Sequence, residues 1–483
     1  MARGILDSAW PYFTLAGLLL VAALATQFEV RVPSRDTAPI SELAKLRDRD
    51  DLSVVFILID TLRADRLGIY GYERPTSRIL DDAASHAIVF DNVQSQSTWT
   101  KTSMASLWTG THPIRNGILR YDHVIPDSAV MPAEIFRDAG FRTGGVWRNG
   151  WVEPNFGFAQ GFDVYVKPVP GAERMRLHRQ NPTPSPLLGT DEDLTVSAID
   201  FIDQHRGDRF LLYLHYMDVH QYVYDDTASI FGTSYSDAYD QAIHWTDRLI
   251  GRLLDGMEQA DVLKRSVIVI ASDHGEAFRE HGMEGHARDL YTEVTHVPLI
   301  IIPPFILEEG VRVPDVVSNV DVWPTILDIV GLPPLPEADG RSLVPLILSA
   351  GGEDVDTEGV ARPVYSQLRR GWGRPTTNAA SLVSVAHDGK RLITEIDSEE
   401  HVTEFYDHTV DPGEQTDLLK EDGADASAHR KLVDEYVELE GTSPWGEEPT
   451  SVELDEMRLN HLRALGYVIQ GEAPLRHEGP QKR

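Results

Sequence analysis

Three short runs of the chain, Ser53–Ile59, Phe210–Leu214 and Ser266–Ala271, are apolar without polar alternation, and each leads directly into residues that bind metals or move protons. A strand with no polar face is buried on both sides, which requires helices above and below a mostly parallel sheet. Val297–Ile302 is a fourth such run. Amphipathic stretches at Ser77–Ala87, Met131–Ala139, Leu194–Gln204 and Ala242–Gln259 supply the covering helices. This alternation predicts an α/β sandwich with a large, mostly parallel central sheet over residues 52–345. In such sheets ligands bind at the carboxyl ends of the strands, so the residues after each run are the candidates for chemistry.

Beyond Pro345 the pattern changes. Ser381–Ala386 and Lys390–Ile396 alternate, and the His387-Asp388-Gly389 link between them signals a hairpin. Residues 346–469 are therefore expected to form a smaller α+β subdomain with an antiparallel sheet, followed by a flexible tail at 470–483. Val166–Asp191, rich in Pro, Arg and Gly, shows no periodicity and is expected to be a lid or substrate loop. At the other end, the uncharged apolar stretch at 9–26, between Arg3 and Glu29, reads as an export signal within residues 1–30. Its length suits a cleaved signal peptide and a retained signal anchor equally. It implies an extracytoplasmic chain, periplasmic or secreted, with membrane anchoring through 9–26 if the segment is kept. Residues 31–51 read as a linker.

The formal net charge is −32. A field of that sign repels phosphate backbones and excludes nucleic acid as a partner. An anionic substrate would need local compensation from metal, His, Lys or Arg. The absence of cysteine excludes disulfides, thiolate metal sites and Cys nucleophiles.

The strand ends deliver Asp60-Thr61, then His215 with Asp218 and His220, then Ser272-Asp273-His274-Gly275-Glu276. Asp60 alone would serve as a helix cap and His274 alone as a hydrogen-bonded strand-end imidazole. Converging, the carboxylates and imidazole make an oxygen and nitrogen site for a divalent cation. Between Ser97 and Gly110, hydroxyl residues crowd the start of a short helix. A helix N-terminus favours an anion held against a hydroxyl, and a cation beside that hydroxyl would lower its pKa.

These residues resemble the sulfatase family within the alkaline phosphatase superfamily. The likeness covers VVFILIDTLRADRLGIYGY at Val54–Tyr72, Thr100–Gly110, Gly161-Phe162-Asp163, LYLHYMDVH at Leu212–His220, SDHGEAFREHGMEGH at Ser272–His286 and LYTEVTHVPLI at Leu290–Ile300. It continues with FYDHTVDPGEQTDL at Phe405–Leu418 and LRALGYV at Leu462–Val468. The family carries Cys or Ser, oxidised to formylglycine, at the nucleophile position, with Pro or Ala two residues on and Arg four residues on. Here those positions hold Thr100, Thr102 and Met104. A Thr nucleophile is instead similar to the phosphoethanolamine and phosphoglycerol transferases of the same superfamily.

The resemblance implies one divalent metal ion held by Asp60, Thr100, Asp273 and His274, and the His ligand suits Zn or Mn better than Ca or Mg. It assigns Thr100 as nucleophile, His220 and His286 to the transferred group or leaving oxygen, and Lys101 to charge balance. His215, His281 and Arg288 are given supporting contacts to substrate, and Arg63 and Arg66 face either the site or solvent. The expected activity is a metal-dependent hydrolase or transferase for phosphate or phosphonate esters, or for sulfate esters. Its partner is an anionic ester borne by a small molecule, lipid head group or glycan. The alternatives are a sulfuric ester hydrolase without formylglycine and a non-catalytic sulfatase-like binding protein.

Overall fold

The computed structural model describes residues 35–181, 189–224, 231–360, 362–370, 380–396, 403–420, 424–446 and 449–454, together with Phe13 and Leu459. Its main sheet contains β1 (Ser53–Ile59), β2 (Ile88–Gln94), β3 (Arg142–Trp147), β4 (Val164–Val166), β5 (Phe210–Tyr216), β6 (Ser266–Ala271), β7 (His296–Val297), β8 (Leu299–Ile302) and β9 (Val311–Ser318). The order is β7-β2-β8-β6-β1-β5-β3-β4, with β9 beside β2. The strands β6, β1, β5, β3 and β4 run parallel in succession. The expected run Val297–Ile302 is divided at Pro298, and β8 is antiparallel to both β2 and β6. Burial on both faces is thus met by a reversed strand as well as by parallel ones.

Every residue of β1 is buried. Its side chains alternate between two cores, Val54, Phe56 and Leu58 on one face and Val55, Ile57 and Ile59 on the other. Complete burial of side chains of this size contributes about 1.5–3 kcal/mol each. The first core is closed by α2 (Thr100–Thr109), α3 (Pro132–Asp138), α7 (Val322–Ile329) and α8 (Val344–Ala350). Trp108 of α2 stacks on Trp323 of α7 at 4.8 Å between ring centroids, beside Phe56. The second core is closed by α1 (Arg78–Ala84), α5 (Asp191–His205) and α6 (Tyr235–Gln259). Thr190 with Asp193, and Ser234 with Asp237, form capping boxes that start α5 and α6.

Several expected boundaries move. The 31–51 linker is packed from Thr37 onward: Thr37–Ala38 pairs with Ile306–Leu307, and the 3₁₀ turn Ile40–Asp48 buries Ile40, Leu43 and Leu46. Their spacing of three residues matches the three-residue turn of that helix. The Val166–Asp191 segment is not wholly irregular, because α4 (Ala172–Gln180) lies within it; residues 182–188 fall outside the described ones. Pro345 lies inside α8, which contributes Val344, Leu346 and Ile347 to the first core. Gly161, in the Gly-Phe-Asp block, has φ +83, and a Cβ there would meet the Glu134 backbone nitrogen at 2.2 Å. That position admits no side chain.

The smaller sheet is antiparallel throughout, in the order β10 (Val364–Arg369), β11 (Ser381–His387), β12 (Lys390–Ile396) and β13 (Thr403–Asp407), with α9 (Ser427–Val437) against it. Asp388 and Gly389 both take positive φ, as a two-residue hairpin turn requires. Ser366 Oγ donates to the Ser95 carbonyl at 2.6 Å and Gln367 N–H to the Gln96 carbonyl at 2.8 Å, so β10 buttresses the chain just before α2. Among the described residues no helix is long and apolar enough to cross a membrane. Apart from Phe13, the stretch at 9–26 lies outside them, as do Leu462–Val468 and the tail at 470–483.

Candidate active site

Asp60 follows β1, and Asp273 and His274 follow the adjacent β6. All three are fully buried, and one ligand atom of each lies within 4.8 Å of the others. Asp60 Oδ2 accepts from Asn149 Nδ2 at 2.6 Å and from His215 Nε2 at 2.9 Å, while Asp60 Oδ1 has no hydrogen-bond partner among the described residues. Asp273 Oδ1 accepts the Thr61 N–H at 3.2 Å, and Asp273 Oδ2 has no such partner. Thr61 has φ +61, a left-handed conformation unusual for a β-branched residue, and its amide is the one bound to Asp273. Asp60 caps no helix. Two desolvated carboxylate oxygens without donors are costly unless a cation sits between them.

His274 completes the set. Its Nδ1 lies 3.0 Å from the Gly275 carbonyl, which only accepts, so Nδ1 carries the proton and Nε2 offers its lone pair. Two carboxylate oxygens and an imidazole nitrogen, with a hydroxyl nearby, fit one divalent cation. Burial would raise the Asp60 carboxyl, but the imidazoles of His220, His215 and His274 hold it well below the usual carboxylate range. Asp273 moves the other way, raised by burial and by the charge on Asp60.

Thr100 is the first residue of α2 and is fully buried; the cap position is Trp99, without a side-chain cap. Thr100 Oγ1 lies 3.1 Å from His274 Nε2. Ser103, three residues on and so on the same helix face, donates Oγ to the Asp273 carbonyl at 2.6 Å and locks α2 to the end of β6. Lys101 is rotated about 100° around the helix from Thr100 and points elsewhere. Its Nζ donates to the Tyr121 carbonyl at 2.6 Å and sits 3.6 Å from the Phe156 ring centroid, with burial pushing its pKa well below the ordinary lysine value. The expected charge-balancing role for Lys101 is therefore not supported by its placement.

His286 joins the cluster, its ring 4.6 Å from that of His274 and 5.0 Å from that of His220. Glu276 receives His286 Nδ1 at 3.2 Å. Burial pulls His286 down, and the Glu276 carboxylate overrides it and holds the pKa above the ordinary value. For His220 burial wins, and the pKa falls to about 4. The turn carrying His220 is held by Asp191, whose carboxylate accepts the Met217 and Asp218 N–H groups, and by Arg148, which bridges Asp191, Asp218 and Gln221. Sequence reasoning missed Asn149, Glu276, Asp191 and Arg148 as parts of the site. Glu276 alone had a signal, its place in the Ser272–Glu276 strand end.

Two other expected substrate contacts are corrected. His215 has both ring nitrogens engaged, Nε2 with Asp60 and Nδ1 with the Tyr213 hydroxyl at 2.6 Å, so it orients a carboxylate instead of meeting substrate. His281 is likewise used up: Nδ1 pairs with Glu293 at 2.8 Å, Nε2 donates to the Glu414 carbonyl at 2.8 Å, and the ring stacks on Tyr291. Arg288 is exposed. Arg63 pairs with Asp65 and Glu280, and Arg66 with Asp240, Tyr72 and Ser236, so neither joins the cluster.

Burial pulls His281 down, and its two acceptors more than offset this, pushing the pKa up to about 9. A folded value above the unfolded one of about 6.5 means that the interaction stabilises fully below about pH 6.5 and is lost as pH rises through about 9. The destabilisation caused by His281→Gln, read from urea unfolding, is expected to be larger at pH 7 than at pH 10.

Residues 53–332 match the family described as Sulfatase, and residues 280–440 match N-sulphoglucosamine sulphohydrolase, C-terminal. Arylsulfatase K of Gallus gallus is 31% identical over 173 residues, which are 36% of this chain and 31% of that protein. An arylsulfatase of Hemicentrotus pulcherrimus is 24% identical over 359 residues, covering 64% of this chain and 63% of its own. The match to the Gallus gallus protein thus leaves most of that protein's length uncovered. Among solved structures, a 2-O GAG sulfatase superposes with TM-score 0.65 at 17% identity over 83% of this chain and 95% of its own. The phosphonate monoester hydrolase of Agrobacterium radiobacter does so with TM-score 0.61 at 17% identity, over 80% and 95%. These likenesses establish the fold. Because the first family match runs over more than half of the chain and takes in every strand end that builds the cluster, the chain belongs to the sulfatase family.

Proposed function

We propose that the chain is a metal-dependent ester hydrolase or transferase whose nucleophile is Thr100 Oγ1 and whose substrate is a phosphate, phosphonate or sulfate ester. The observation that carries this reading is the Thr100 hydroxyl 3.1 Å from His274 Nε2, beside two buried carboxylates that each leave an oxygen without a donor. Asp60, Asp273, His274 and Thr100 would hold the cation. When bound it supplies positive charge that favours a deprotonated hydroxyl. The imidazole in the donor set supports Zn or Mn over Ca or Mg.

Thr100 Oγ1, having released its proton to solvent, attacks the phosphorus or sulfur in line, forming an O–P or O–S bond as the ester bond to the leaving oxygen breaks. His286, whose pKa the Glu276 carboxylate raises, gives its proton to that leaving oxygen. Water or an acceptor hydroxyl then attacks the same centre, breaks the bond to Thr100 and returns the threonine side chain. His220, neutral at pH 7, is suited to take the proton of that second nucleophile. Charge on the transferred group is met at the N-terminal turn of α2 and by His286, which offsets the repulsion of a −32 chain locally.

Formylglycine chemistry has little support here. Met104 is packed in the first core, and the Thr102 hydroxyl is spent on the Ile118 carbonyl at 2.7 Å. Sulfate esters remain a second reading, favoured by the arylsulfatase relatives and by a similar structure solved with D-glucosamine-2-N,6-O-disulfate. The apolar run at 9–26 supports an extracytoplasmic setting. Incubation with aryl phosphate, phosphodiester, phosphonate and sulfate esters, followed by peptide mass spectrometry, is expected to give an adduct on Thr100 whose mass names the transferred group. Turnover with an adduct on any other residue would overturn the reading.

A further inference from the structure

We infer that Glu414, in the small C-terminal subdomain, is a positioning residue that holds the His286 segment against α2; the inference rests on the role proposed for His286. The block Phe405–Leu418 plays no part in the cluster itself, yet its glutamate is 1% exposed and uses every acceptor it has. Glu414 Oε1 accepts from Arg391 Nη1 at 3.1 Å and from His408 Nε2 at 2.7 Å, and Oε2 accepts the Thr292 N–H at 2.7 Å. Its own carbonyl accepts from His281 Nε2 at 2.8 Å. One residue therefore grips the chain at both ends of a loop, at His281 and at Thr292, and His286 lies between them.

The grip is reinforced at its C-terminal end, where Arg391 Nη2 donates to the Leu290 carbonyl at 2.5 Å and the Tyr291 hydroxyl to Glu404 at 2.7 Å. The middle of the loop is tied to the nucleophile side instead. The Ala287 N–H donates to the Thr98 carbonyl at 2.8 Å, and Thr98 Oγ1 donates to the Asp289 carbonyl at 2.8 Å. Ala287 and Glu414 both sit at positive φ, conformations that persist where surrounding contacts over-determine them. Glu414 touches neither Thr100 nor the carboxylates, so it acts through the distance between His286 and the reacting group. Small displacements of a proton donor lower kcat far more than KM.

The test uses the full chain with its metal and compares wild type, Glu414→Gln, Glu414→Ala and His408→Asn. Glu414→Ala is expected to lower kcat by about 10–100-fold with KM little changed and metal content intact, while amide exchange at residues 284–290 speeds up. Glu414→Gln keeps an acceptor for Thr292 and is expected to recover part of the loss. His408→Asn removes one donor at the rim and is expected to act in the same direction but less, which keeps the test open if Glu414→Ala does not fold. Unchanged exchange at 284–290, or faster exchange with wild-type kcat, overturns the inference. If wild type turned over no ester while exchange rose in Glu414→Ala, the ester reaction would fall and the latch would stand.

Discussion

Thr100→Ala is expected to lower ester turnover by about 10³-fold or more while leaving the fold in place, measured at saturating metal so that Asp60, Asp273 and His274 still hold the cation. Thr100 is the first residue of α2 and not its cap, so alanine removes no capping bond, and alanine is the best helix former. The side chain that disappears is the hydroxyl 3.1 Å from His274 Nε2, together with one methyl group. Loss of stability therefore offers no route to a large loss of rate. Thr100→Ser restores the hydroxyl and is expected to recover most of the activity, with no adduct on the alanine variant and an adduct on the serine one. Wild-type turnover in a metal-replete Thr100→Ala would mean that water attacks the substrate directly, and the covalent route would be abandoned. Loss of turnover in Thr100→Ser as severe as in Thr100→Ala would point to the methyl group, and hence to packing.

The sandwich and the convergence of Asp60, Asp273 and His274 are legible because they rest on the same pattern. β1 and β6 begin and end where their apolar runs do, each with one serine at its first position, since a strand buried on both faces is apolar along most of its length. β3 was not legible. Its Gly144-Gly145 pair reads as a break, whereas the rings of Phe201 and Tyr165 pack where a Cβ would stand, at 2.6 and 2.5 Å. β2 is interrupted by Asp91 and Asn92 at the point where the strand surfaces between two buried ends.

Direction is what sequence proximity does not carry. Lys101 adjoins the nucleophile position and still leaves the site, because one residue along a helix turns the side chain by about 100°. Ser103 was less conspicuous and faces the site, three residues along. His215 and His281 drew attention as imidazoles in promising motifs. Asp60 and Glu414 arrive from distant parts of the chain, Tyr213 and Glu293 from nearer positions, and together they occupy both nitrogens of each ring. Asn149 and Asp191 were missed for the same reason, since an amide or carboxylate gains its role only when tertiary folding brings up the group it binds.

Removing the cation is expected to reverse the sign of Asp273→Asn. Without metal, Asp60 and Asp273 face each other in a desolvated site with one oxygen each lacking a donor, and Asp273 is held up by burial and by the charge of Asp60. An amide at that position keeps the acceptor for the Thr61 N–H, removes one of the two like charges, and sets its N–H₂ beside the His274 Nε2 lone pair, 3.4 Å from the oxygen it replaces. In EDTA, Asp273→Asn should therefore be as stable as wild type or more so. With Zn or Mn the order changes, because binding stabilises the folded state by RT ln(1 + [M]/Kd), about 2.7 kcal/mol at a hundredfold excess over Kd. Wild type gains that increment and the variant, short of one anionic ligand, gains little of it. Urea unfolding of both proteins with and without metal reads the crossing directly. Equal gains in the two proteins would move the cation away from Asp273, and no gain in wild type would remove the metal from the proposed chemistry.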